Sequence, residues 1–445
     1  MTPTDSLRQA ATAHGTPVYV TDLTDLDAAA QAVREAFPDP WIRQYSVKAN
    51  DVPAVVTEVA RRGFGANVVS LGEWAIARQA GLSNTRITLE GIGKTDADLR
   101  AAVGAASRHD PLLWLALESQ DEAEALSAMA RRAGLGRNGR PPLDVLIRLN
   151  PEVTPETIDS LAVGAGASKF GLTETEATGL VEWLTATGRG AVRPRGIHLH
   201  VGSQLRAVDA WRDAVRRGLA VVGLLRGGLA DFDTLDLGGG FPILPLDEPA
   251  PDPTRFAQEL PALLDAVPAD RRPARLAIEP GRAVVARAGW LVARVLHVRE
   301  RGGRQVVIDA GMTELIRPAL YGARHPIIAL TSEGRPLAYD ADREGAAAGE
   351  VSDGRQGSSG REGPELRPAH VHGPICESTD ALGTHDLPAL RRGDLVAIAD
   401  TGAYAASLAS PYNGRPRPAQ VFVDPDGTIR LARAGRRMRP SKAPN

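Results

Sequence analysis

The sequence predicts an α/β protein made of a (β/α)8 barrel and a second, all-β domain. Eight short apolar runs of strand character lie between residue 24 and about residue 281, with longer amphipathic segments among them. Further strand-like runs follow residue 282 with turn signals and little helix between them. Regular alternation of strands and helices is typical of parallel βαβ units, and eight units favour a closed barrel. A doubly wound open sheet is the alternative architecture.

The predicted barrel strands are runs of six to eight residues, rich in branched aliphatic side chains. They are WIRQYSVK (41–48), GANVVS (65–70), RITLEG (86–91), LLWLALES (112–119), DVLIRLN (144–150), GIHLHVG (196–202), TLDLGGG (234–240) and LAIEPG (276–281). Helices are predicted from apolar residues at helical spacing. The clearest are 24–37, which precedes the first strand, and 53–62, 121–134 and 210–225.

The β domain is predicted from GWLVARVLHVRE, RQVVIDAG, GDLVAIADTGAY and AQVFVDPDGTIRLAR, together with the early run TPVYVTD (16–22). We expect a barrel domain over 24–281 and a β domain over 1–23 and 282–435. Residues 333–369 are rich in Gly, Arg and acids and lack apolar periodicity, which predicts a flexible surface insertion or, as the alternative, a lid. Residues 436–445 are expected to form a tail.

Composition and charge exclude several classes of protein. Hydrophobic residues make up 43% and charged residues 24% of the 445 residues, as in ordinary globular domains. The 52 basic residues nearly balance the 54 acidic residues, so neither nucleic acid nor a membrane surface is an expected partner. The single cysteine, Cys376, excludes an intramolecular disulfide framework. No apolar stretch has the length of a signal-peptide core or a membrane span, so we expect a cytoplasmic protein.

Unusual residues occur where the predicted strands end. Lys48 ends the first strand, His200 lies near the end of the sixth, Gly238–Gly240 end the seventh, and Glu279 ends the eighth. In a parallel barrel these positions converge on the carboxyl-terminal face, where the active sites of such barrels lie. Their positions therefore predict an active site at that face.

Each of these residues has a structural and a functional interpretation. A lysine at a strand end is ordinarily a surface residue, but an inward-pointing, desolvated amine suits Schiff-base chemistry. Three consecutive glycines form a tight turn, or present backbone N–H groups that bind a phosphate. The IEPGR segment adds a second glycine turn at the next strand end, which matches the phosphate site that barrels build after strands seven and eight.

The histidine pair and the cysteine are weaker signals. His198 and His200 alternate along a strand, so only one of them is expected to face the barrel interior. A metal site would need further ligands that the sequence does not reveal, and we expect no metal. A lone cysteine such as Cys376 is ordinarily an inert buried residue.

Seven motifs carry a resemblance to a known family. They occur in order as YSVKAN (45–50), HLHVGSQ (198–204), LDLGGGF (235–241), EPGR (279–282), DAGMTELIRPALYGARHPI (309–327), GPICESTDALG (373–383) and DTGAYAASLASPYNGRPRP (400–418). From about residue 16 to 423 the chain resembles the fold-type III pyridoxal-phosphate-dependent decarboxylases, and within them the diaminopimelate decarboxylases. The resemblance implies an alanine-racemase-like TIM barrel with a Greek-key-like β-barrel domain, and pyridoxal 5'-phosphate as cofactor.

The resemblance also implies roles for individual residues. In the barrel, Lys48 resembles the lysine that holds the cofactor, Glu279 the carboxylate at the pyridine nitrogen, and His200 the imidazole against the ring. Phosphate-binding positions correspond to Ser203, Gly239, Gly240, Gly281 and Tyr404, and Arg282 is a further cofactor-binding position. The distal end of the substrate would meet Arg282, Arg317, Tyr321, Glu377 and Tyr404. Cys376 resembles the acid that reprotonates the substrate carbon, and in the family it comes from the other subunit with Glu377, which implies a homodimer with shared active sites.

The implied activity is decarboxylation of meso-diaminopimelate to L-lysine, a step of lysine biosynthesis. Three departures from the family pattern leave another carboxylated diamine or amino acid open, for instance in siderophore or antibiotic biosynthesis. They are SLAVGAGASKFG (160–171), Asn67 in place of an aspartate, and Thr379 after CES. An amino-acid racemase is opposed by Glu279 and by the Cys376–Glu377 pair. A non-catalytic cofactor-binding protein would be expected to lack the acid or the residue that makes the cofactor an electron sink, and both residue types are present.

Overall fold

A computed structural model of the chain describes residues 3–137, 139–158, 161–164, 168–187, 190–244, 248–337 and 364–435. The chain divides into two compact units. The barrel unit comprises Ala28–Ile243 and Ala250–Val284, and the sheet unit comprises Met1–Asp27, Leu244–Pro249 and Val285–Asn445.

The strands and helices of the described residues are numbered along the chain. The strands are β1 (Val18–Asp22), β2 (Ile42–Ser46), β3 (Gly65–Val68), β4 (Ile87–Leu89), β5 (Trp114–Leu117), β6 (Leu143–Leu149), β7 (Val192–Leu199), β8 (Thr234–Asp236), β9 (Arg275–Ile278), β10 (Gly289–Glu300), β11 (Arg304–Ile308), β12 (Ile327–Ala329), β13 (Thr331–Ser332), β14 (Arg335–Pro336), β15 (Arg367–His372), β16 (Ala381–Leu387), β17 (Leu395–Ile398), β18 (Ala419–Val423) and β19 (Ile429–Arg433). The helices are α1 (Pro3–His14), α2 (Leu23–Ala36), α3 (Pro53–Arg61), α4 (Leu71–Gln79), α5 (Asp96–Ser107), α6 (Gln120–Arg132), α7 (Glu174–Thr187), α8 (Asp209–Arg226), α9 (Pro253–Ala257), α10 (Leu260–Asp265), α11 (Arg282–Val285) and α12 (Arg317–Tyr321).

The eight predicted barrel strands form a closed parallel barrel, β2 to β9 in sequence order, so the predicted fold class is confirmed. Pairing of β2 with β9, through Ile42 opposite Ala277, completes the ring. Every residue of β3, β4 and β5 is buried. A parallel strand with helices outside and side chains inside is buried on both faces, which explains why these runs are apolar without alternation.

Hydroxyl side chains begin three consecutive barrel helices. The side chains of Ser70, Thr95 and Ser119 accept hydrogen bonds from backbone N–H groups in the first turns of α4, α5 and α6. Each cap satisfies an amide that the helix itself leaves unpaired. These short connections place the start of each helix directly after a strand end, and so fix the carboxyl-terminal face of the barrel.

The described strands of the sheet unit form a nine-stranded sheet and a small hairpin of β13 with β14. The main order is β16-β15-β11-β10-β1-β18-β19, and β17 pairs with both β10 and β12. The twelve-residue β10 has a bulge between Val295 and His297. Its first half pairs with β1 and β17 and its second half with β11. This sheet is the separate, mostly β domain that the sequence predicted, and within it one long bent strand serves two sets of neighbours.

Several boundaries differ from those predicted. Strand β2 ends at Ser46, and Lys48 lies in a single helical turn that follows it. The helix α1 was not predicted, and in the structure its Leu7 packs into the buried core of the sheet unit. Residues 338–363 of the predicted insertion lie outside the described residues, and the flanks 333–337 and 364–369 include parts of strands β14 and β15. The predicted tail, 436–445, also lies outside the described residues.

Within the described part of the chain, no helix combines the length and the apolar character needed to cross a membrane.

Gly196→Ala is expected to destabilise the barrel unit. Gly196 lies on β7 opposite Thr234 of β8, and a Cβ atom there would be 1.8 Å from the Thr234 carbonyl oxygen. Neither backbone can move without disturbing the ladder, so the urea midpoint should fall by the equivalent of about 1–3 kcal/mol. Gly179→Ala, in α7 with open space around its Cβ position, is the matched control and should stabilise by about 0.5–1 kcal/mol. Equal midpoints for the two variants would contradict this packing.

Candidate active site

Five strands of the described barrel are followed at once by a polar residue. These residues are Glu90 after β4, Glu118 after β5, Asn150 after β6, His200 after β7 and Glu279 after β9. Parallel strands end at the same face of a barrel, so the five side chains begin at one level around its rim. The sequence analysis identified two members of this ring, His200 and Glu279.

A buried cluster of acids and imidazole occupies the centre of this face. Nε2 of His198 lies 3.3 Å from Oε2 of Glu90 and 3.5 Å from Oε1 of Glu279. One side-chain nitrogen or oxygen atom from each of Glu90, His198 and Glu279 lies within 4.8 Å of such an atom in the other two residues. Asp236, at the end of β8, is fully buried and accepts the N–H of Gly238 at 2.9 Å. His198 therefore has two carboxyl groups close to it, Glu90 after β4 and Glu279 after β9, which the sequence did not reveal.

Burial dominates the protonation of this cluster. Burial and then the neighbouring Glu279 carboxylate raise the pKa of Glu90 to about 8. The same two causes raise the pKa of Asp236 well above its ordinary value. Burial lowers the pKa of His198 to about 4, although Glu90 opposes that effect. At neutral pH the imidazole is consequently uncharged, and the cluster retains protons on carboxyl groups.

The glycine turn after β8 packs against the end of β7. The N–H of Gly239 donates to Nδ1 of His200 at 3.3 Å. A Cβ atom on Gly239 would lie 2.4 Å from the Glu279 carbonyl oxygen, and Gly240 has a φ of +102°, which side chains rarely tolerate. Burial, followed by the charges of Lys48 and Arg148, lowers the pKa of His200 well below its usual value. His200 is thus a neutral ring held by the glycine turn.

A second group of predicted residues lies beside the glycine turn. Nη2 of Arg282 donates to the Ser203 hydroxyl at 3.0 Å. The Ser46 hydroxyl donates to the Glu279 carbonyl oxygen at 3.1 Å, and a Cβ atom on Gly281 would lie 3.1 Å from the Ser46 side chain. These contacts link the turn that carries Lys48 to the segment 279–282. The structure therefore brings the predicted barrel residues to one end of the barrel.

The environment of Lys48 differs from the expectation. Its side chain is exposed rather than desolvated in the described chain. The reason is its place in the helical turn after β2, between the buried residues Val47 and Ala49.

A buried ion pair, which the sequence analysis missed, stands next to this group. Nη1 of Arg148 donates to Oε1 of Glu118 at 2.5 Å, with both side chains under 8% exposed. Oε2 of Glu118 accepts the N–H of Gly171 at 3.0 Å, and the Arg148 guanidinium lies 4.7 Å from the ring centre of Phe170. The pair therefore anchors the segment that contains Phe170 and Gly171 to the ends of β5 and β6.

Of the predicted substrate-binding residues, Arg282 belongs to the barrel unit, and Arg317, Tyr321, Glu377 and Tyr404 belong to the sheet unit. Arg317 and Tyr321 begin and end α12, and their i, i+4 spacing places them on one helix face. Arg317 is buried and Tyr321 is partly buried. Tyr404 follows β17 with a φ of +57°, an uncommon backbone conformation for a tyrosine. A local constraint of this kind is a feature of functional loops.

Cys376 and Glu377 are exposed in the loop between β15 and β16. The buried carboxylate of Asp380 organises that loop, because it accepts the N–H groups of Met312 and Ile375 at 2.6 and 2.7 Å. Oε1 of Glu377 accepts the Tyr412 hydroxyl at 2.8 Å, and this hydrogen bond raises the pKa of the Tyr412 phenol. The sequence analysis identified the exposed pair and missed Asp380 and Tyr412.

The barrel residues fit pyridoxal phosphate. Oε1 of Glu279 is buried and has no hydrogen-bond partner among the described residues, so it can accept a pyridinium N–H. A Cβ atom on Gly239 or Gly240 would lie within 2.7 Å of a backbone carbonyl oxygen, so this turn requires glycine, and Ser203 and Arg282 beside it add polar donors for a phosphate. His200 offers an uncharged flat ring beside them.

Comparisons with known proteins agree with this chemistry. A family model described as "Pyridoxal-dependent decarboxylase, pyridoxal binding domain" matches residues 23–286. The diaminopimelate decarboxylase of Aquifex aeolicus (strain VF5) is 33% identical over 431 residues, covering 96% of this chain and 91% of that protein. The diaminopimelate decarboxylase of Actinosynnema pretiosum subsp. auranticum is 37% identical over 426 residues, covering 94% and 86% respectively. The crystal structure of diaminopimelate decarboxylase from Helicobacter pylori complexed with L-lysine has a TM-score of 0.82 at 28% identity, covering 97% of this chain and 96% of that one.

The relatives and the solved structure cover nearly the whole chain, and together with the family model they confirm the resemblance read from the seven motifs. They also confirm pyridoxal phosphate as the cofactor and a carboxy-lyase as the class of enzyme. The chain belongs to the pyridoxal-dependent decarboxylases, within the diaminopimelate decarboxylase family.

Proposed function

We propose that this enzyme removes CO2 from the D-configured centre of meso-diaminopimelate and produces L-lysine. The observation that carries the proposal is the set of head-group binders in the sheet unit. An arginine and a tyrosine share one face of α12, and an exposed glutamate is oriented by a tyrosine hydroxyl. A guanidinium fork suits a carboxylate and a carboxylate suits an ammonium, so together they recognise an intact amino-acid head. The names and near full-length similarity of the relatives support the same substrate.

The barrel residues hold the cofactor and set its charge. When bound, pyridoxal phosphate supplies the electron sink that loss of CO2 requires. Lys48 attaches it covalently, and the Glu279 carboxylate keeps a proton on the pyridine nitrogen. His200 lies against the ring as a neutral imidazole. Ser203, Gly239, Gly240, Gly281 and Tyr404 are the proposed phosphate-binding residues, and Arg282 is a further proposed cofactor-binding residue.

The remaining residues bind the substrate and move a proton. Arg282, Arg317 and Tyr321, with Tyr404, bind the distal carboxylate, and Glu377 accepts the distal ammonium. Cys376 donates a proton to the carbon that loses CO2. The loop of Cys376 and Glu377 is exposed in a single chain, which supports a homodimer in which the loop serves the partner's barrel. The cofactor-binding domain is proposed to span 24–281, the second domain 1–23 and 282–435, and the enzyme to be cytoplasmic.

A second candidate is decarboxylation of another carboxylated diamine or amino acid, and specific residues favour it. Asn67 stands where the family has an aspartate, and its amide donates to Glu90 rather than presenting a charge. Gly171 at the end of the departing segment 160–171 bonds to Glu118, so this segment reaches the barrel rim. Thr379 is the third departure. A turnover assay over a panel of carboxylated diamines, including meso-diaminopimelate, separates the two candidates.

Lys48→Ala is expected to abolish covalent cofactor attachment and activity. The chain has four lysines, Lys48, Lys94, Lys169 and Lys442, so borohydride reduction followed by peptide mapping gives an unambiguous assignment. Lys48→Arg is the control for charge, and should fail equally because a guanidinium does not hold the aldehyde. Recovery of the label on Lys94 or Lys169 would refute the assignment. Lys94 would first have to leave its buried ion pair with Glu122, in which the two groups lie 3.0 Å apart, before it could react with the cofactor.

Mixing inactive Lys48→Ala with inactive Cys376→Ala is expected to restore part of the activity. Hybrid dimers contain one site with both residues intact, so up to about a quarter of wild-type activity should return after subunit exchange. The exchange is checked independently with two differently tagged chains. Hybrids that form and stay inactive would rule out shared sites.

Arg317→Ala is expected to erase most of the preference for substrates with a distal carboxylate. Loss of a buried, charged hydrogen bond costs on the order of 2–5 kcal/mol, or about 30- to 4,000-fold in kcat/KM. The measurement is the ratio of kcat/KM for meso-diaminopimelate to that for lysine. Arg324→Ala is the matched control, because Arg324 is mostly exposed and pairs with Glu248. An unchanged ratio in Arg317→Ala would remove this residue from the substrate site.

A further inference from the structure

We propose that Glu90 is the protonated member of a buried carboxyl–carboxylate pair with Glu279, and that it orients the Glu279 carboxylate toward the cofactor. Glu90 would thus be a positioning residue, acting on the pyridine ring through Glu279. The proposal deepens the proposed function and rests on it for the role of Glu279. The existence of the proton pair rests on the barrel unit alone.

The first support is the way Glu90 is held. Its Oε2 accepts the Asn67 amide N–H at 2.9 Å, and its Oε1 accepts the Trp114 indole N–H at 3.3 Å. Nε2 of His198 lies 3.3 Å from Oε2. The Glu90 side chain is 3% exposed, so these neighbours fix its rotamer as well as its surroundings. Asn67 and Trp114 come from β3 and β5, one on each side of β4.

The second support is the balance of charge around the pair. The groups that face Glu90 are Asn67, Trp114, His198 and Glu279, and Asp236 stands next to Glu279. Lys48, Arg148 and Glu118 act on His198 from farther away. Among the described residues, His198 is the one basic group within ion-pair distance of Glu90 and Glu279, and it is neutral at pH 7. Two adjacent buried carboxylates without a cation cannot both remain ionised, so one of them keeps a proton.

The third support assigns the proton to Glu90. Oε1 of Glu279 is buried without a hydrogen-bond donor among the described residues. A protonated Glu90 donates its O–H to that carboxylate, and an ionised carboxylate has lone pairs left for the pyridinium N–H.

The direct test is infrared difference spectroscopy of the holoenzyme between pH 6.5 and pH 9.5. The wild type should show a protonated-carboxyl C=O band that is lost as the pH rises, because burial and the neighbouring Glu279 raise the pKa of Glu90. Glu90→Gln should lack this band. Glu58→Gln is the matched control and should retain it, because Glu58 is a buried glutamate paired with Arg61 and Arg62 at 2.9 and 3.1 Å.

A pair of substitutions separates positioning from a merely structural role. The amide N–H of Glu90→Gln donates to Glu279 at the expense of the hydrogen bond from Asn67 or Trp114, so this variant should keep the cofactor absorbance and a larger part of kcat at pH 7 than a variant without a donor. Glu90→Leu has similar bulk and no donor, and its kcat should fall about 10- to 100-fold below that of Glu90→Gln. Its cofactor absorbance should report a neutral pyridine nitrogen. Equal kcat and equal absorbance in the two variants would overturn the positioning role.

Other outcomes place the proton or the charge elsewhere. If the band persists in Glu90→Gln and disappears in Asp236→Asn, the proton resides on Asp236 and the proposal is wrong. If purified enzyme contains one equivalent of a divalent metal that Glu90→Gln lacks, the cluster is a metal site and the proposal is equally wrong. If the purified enzyme binds no pyridoxal phosphate, the infrared band is recorded on that cofactor-free enzyme, because the proton pair does not depend on the cofactor. Failure of the proposed function is thereby distinguished from failure of the proton pair.

Discussion

Burial of three carboxyl groups around one neutral imidazole is the constraint on which the barrel site depends. Removing an ionised carboxylate from water costs several kcal/mol unless a partner offsets it. The strands on either side of Glu90 therefore carry amide and indole donors where a barrel interior otherwise has aliphatic side chains. In the proposed pair, Glu90 carries the proton and Glu279 carries the charge. The electron-sink chemistry proposed for the enzyme depends on that charge.

Parallel barrel geometry makes this arrangement accessible. Five strands present a polar residue directly after their last buried position, and adjacent strands bring residues from distant parts of the chain within hydrogen-bond distance. Glu118 and Arg148, for example, pair across β5 and β6 and hold the N–H of Gly171. Short connections with hydroxyl caps keep these positions in place. Rigid strand ends thus provide the positioning that proposed catalytic side chains need.

In the sheet unit, local hydrogen bonds and a short helix position the proposed functional side chains. The Asp380 carboxylate closes the loop that exposes Cys376 and Glu377, and Tyr412 hydrogen-bonds the latter. Exposed glutamate side chains sample many rotamers, so a hydrogen bond to a tyrosine reduces the entropy lost on binding an ammonium. A one-turn helix suffices to bring Arg317 and Tyr321 to the same face. These features are consistent with recognition of an amino-acid head by the sheet unit.

The sequence by itself determined the fold class, the order of the eight barrel strands, and the positions of Lys48, His200 and Glu279 near strand ends. It did so because strand burial, glycine turns and family motifs are local patterns. Only the tertiary structure decided that His198 has Glu90 and Glu279 as neighbours, that Arg148 pairs with Glu118, and that Asp380 closes its loop. Those contacts join residues on different elements, and their protonation follows from burial, which no local pattern encodes. A polar residue directly after a buried strand is the one local signal that would have pointed to Glu90 and Glu118.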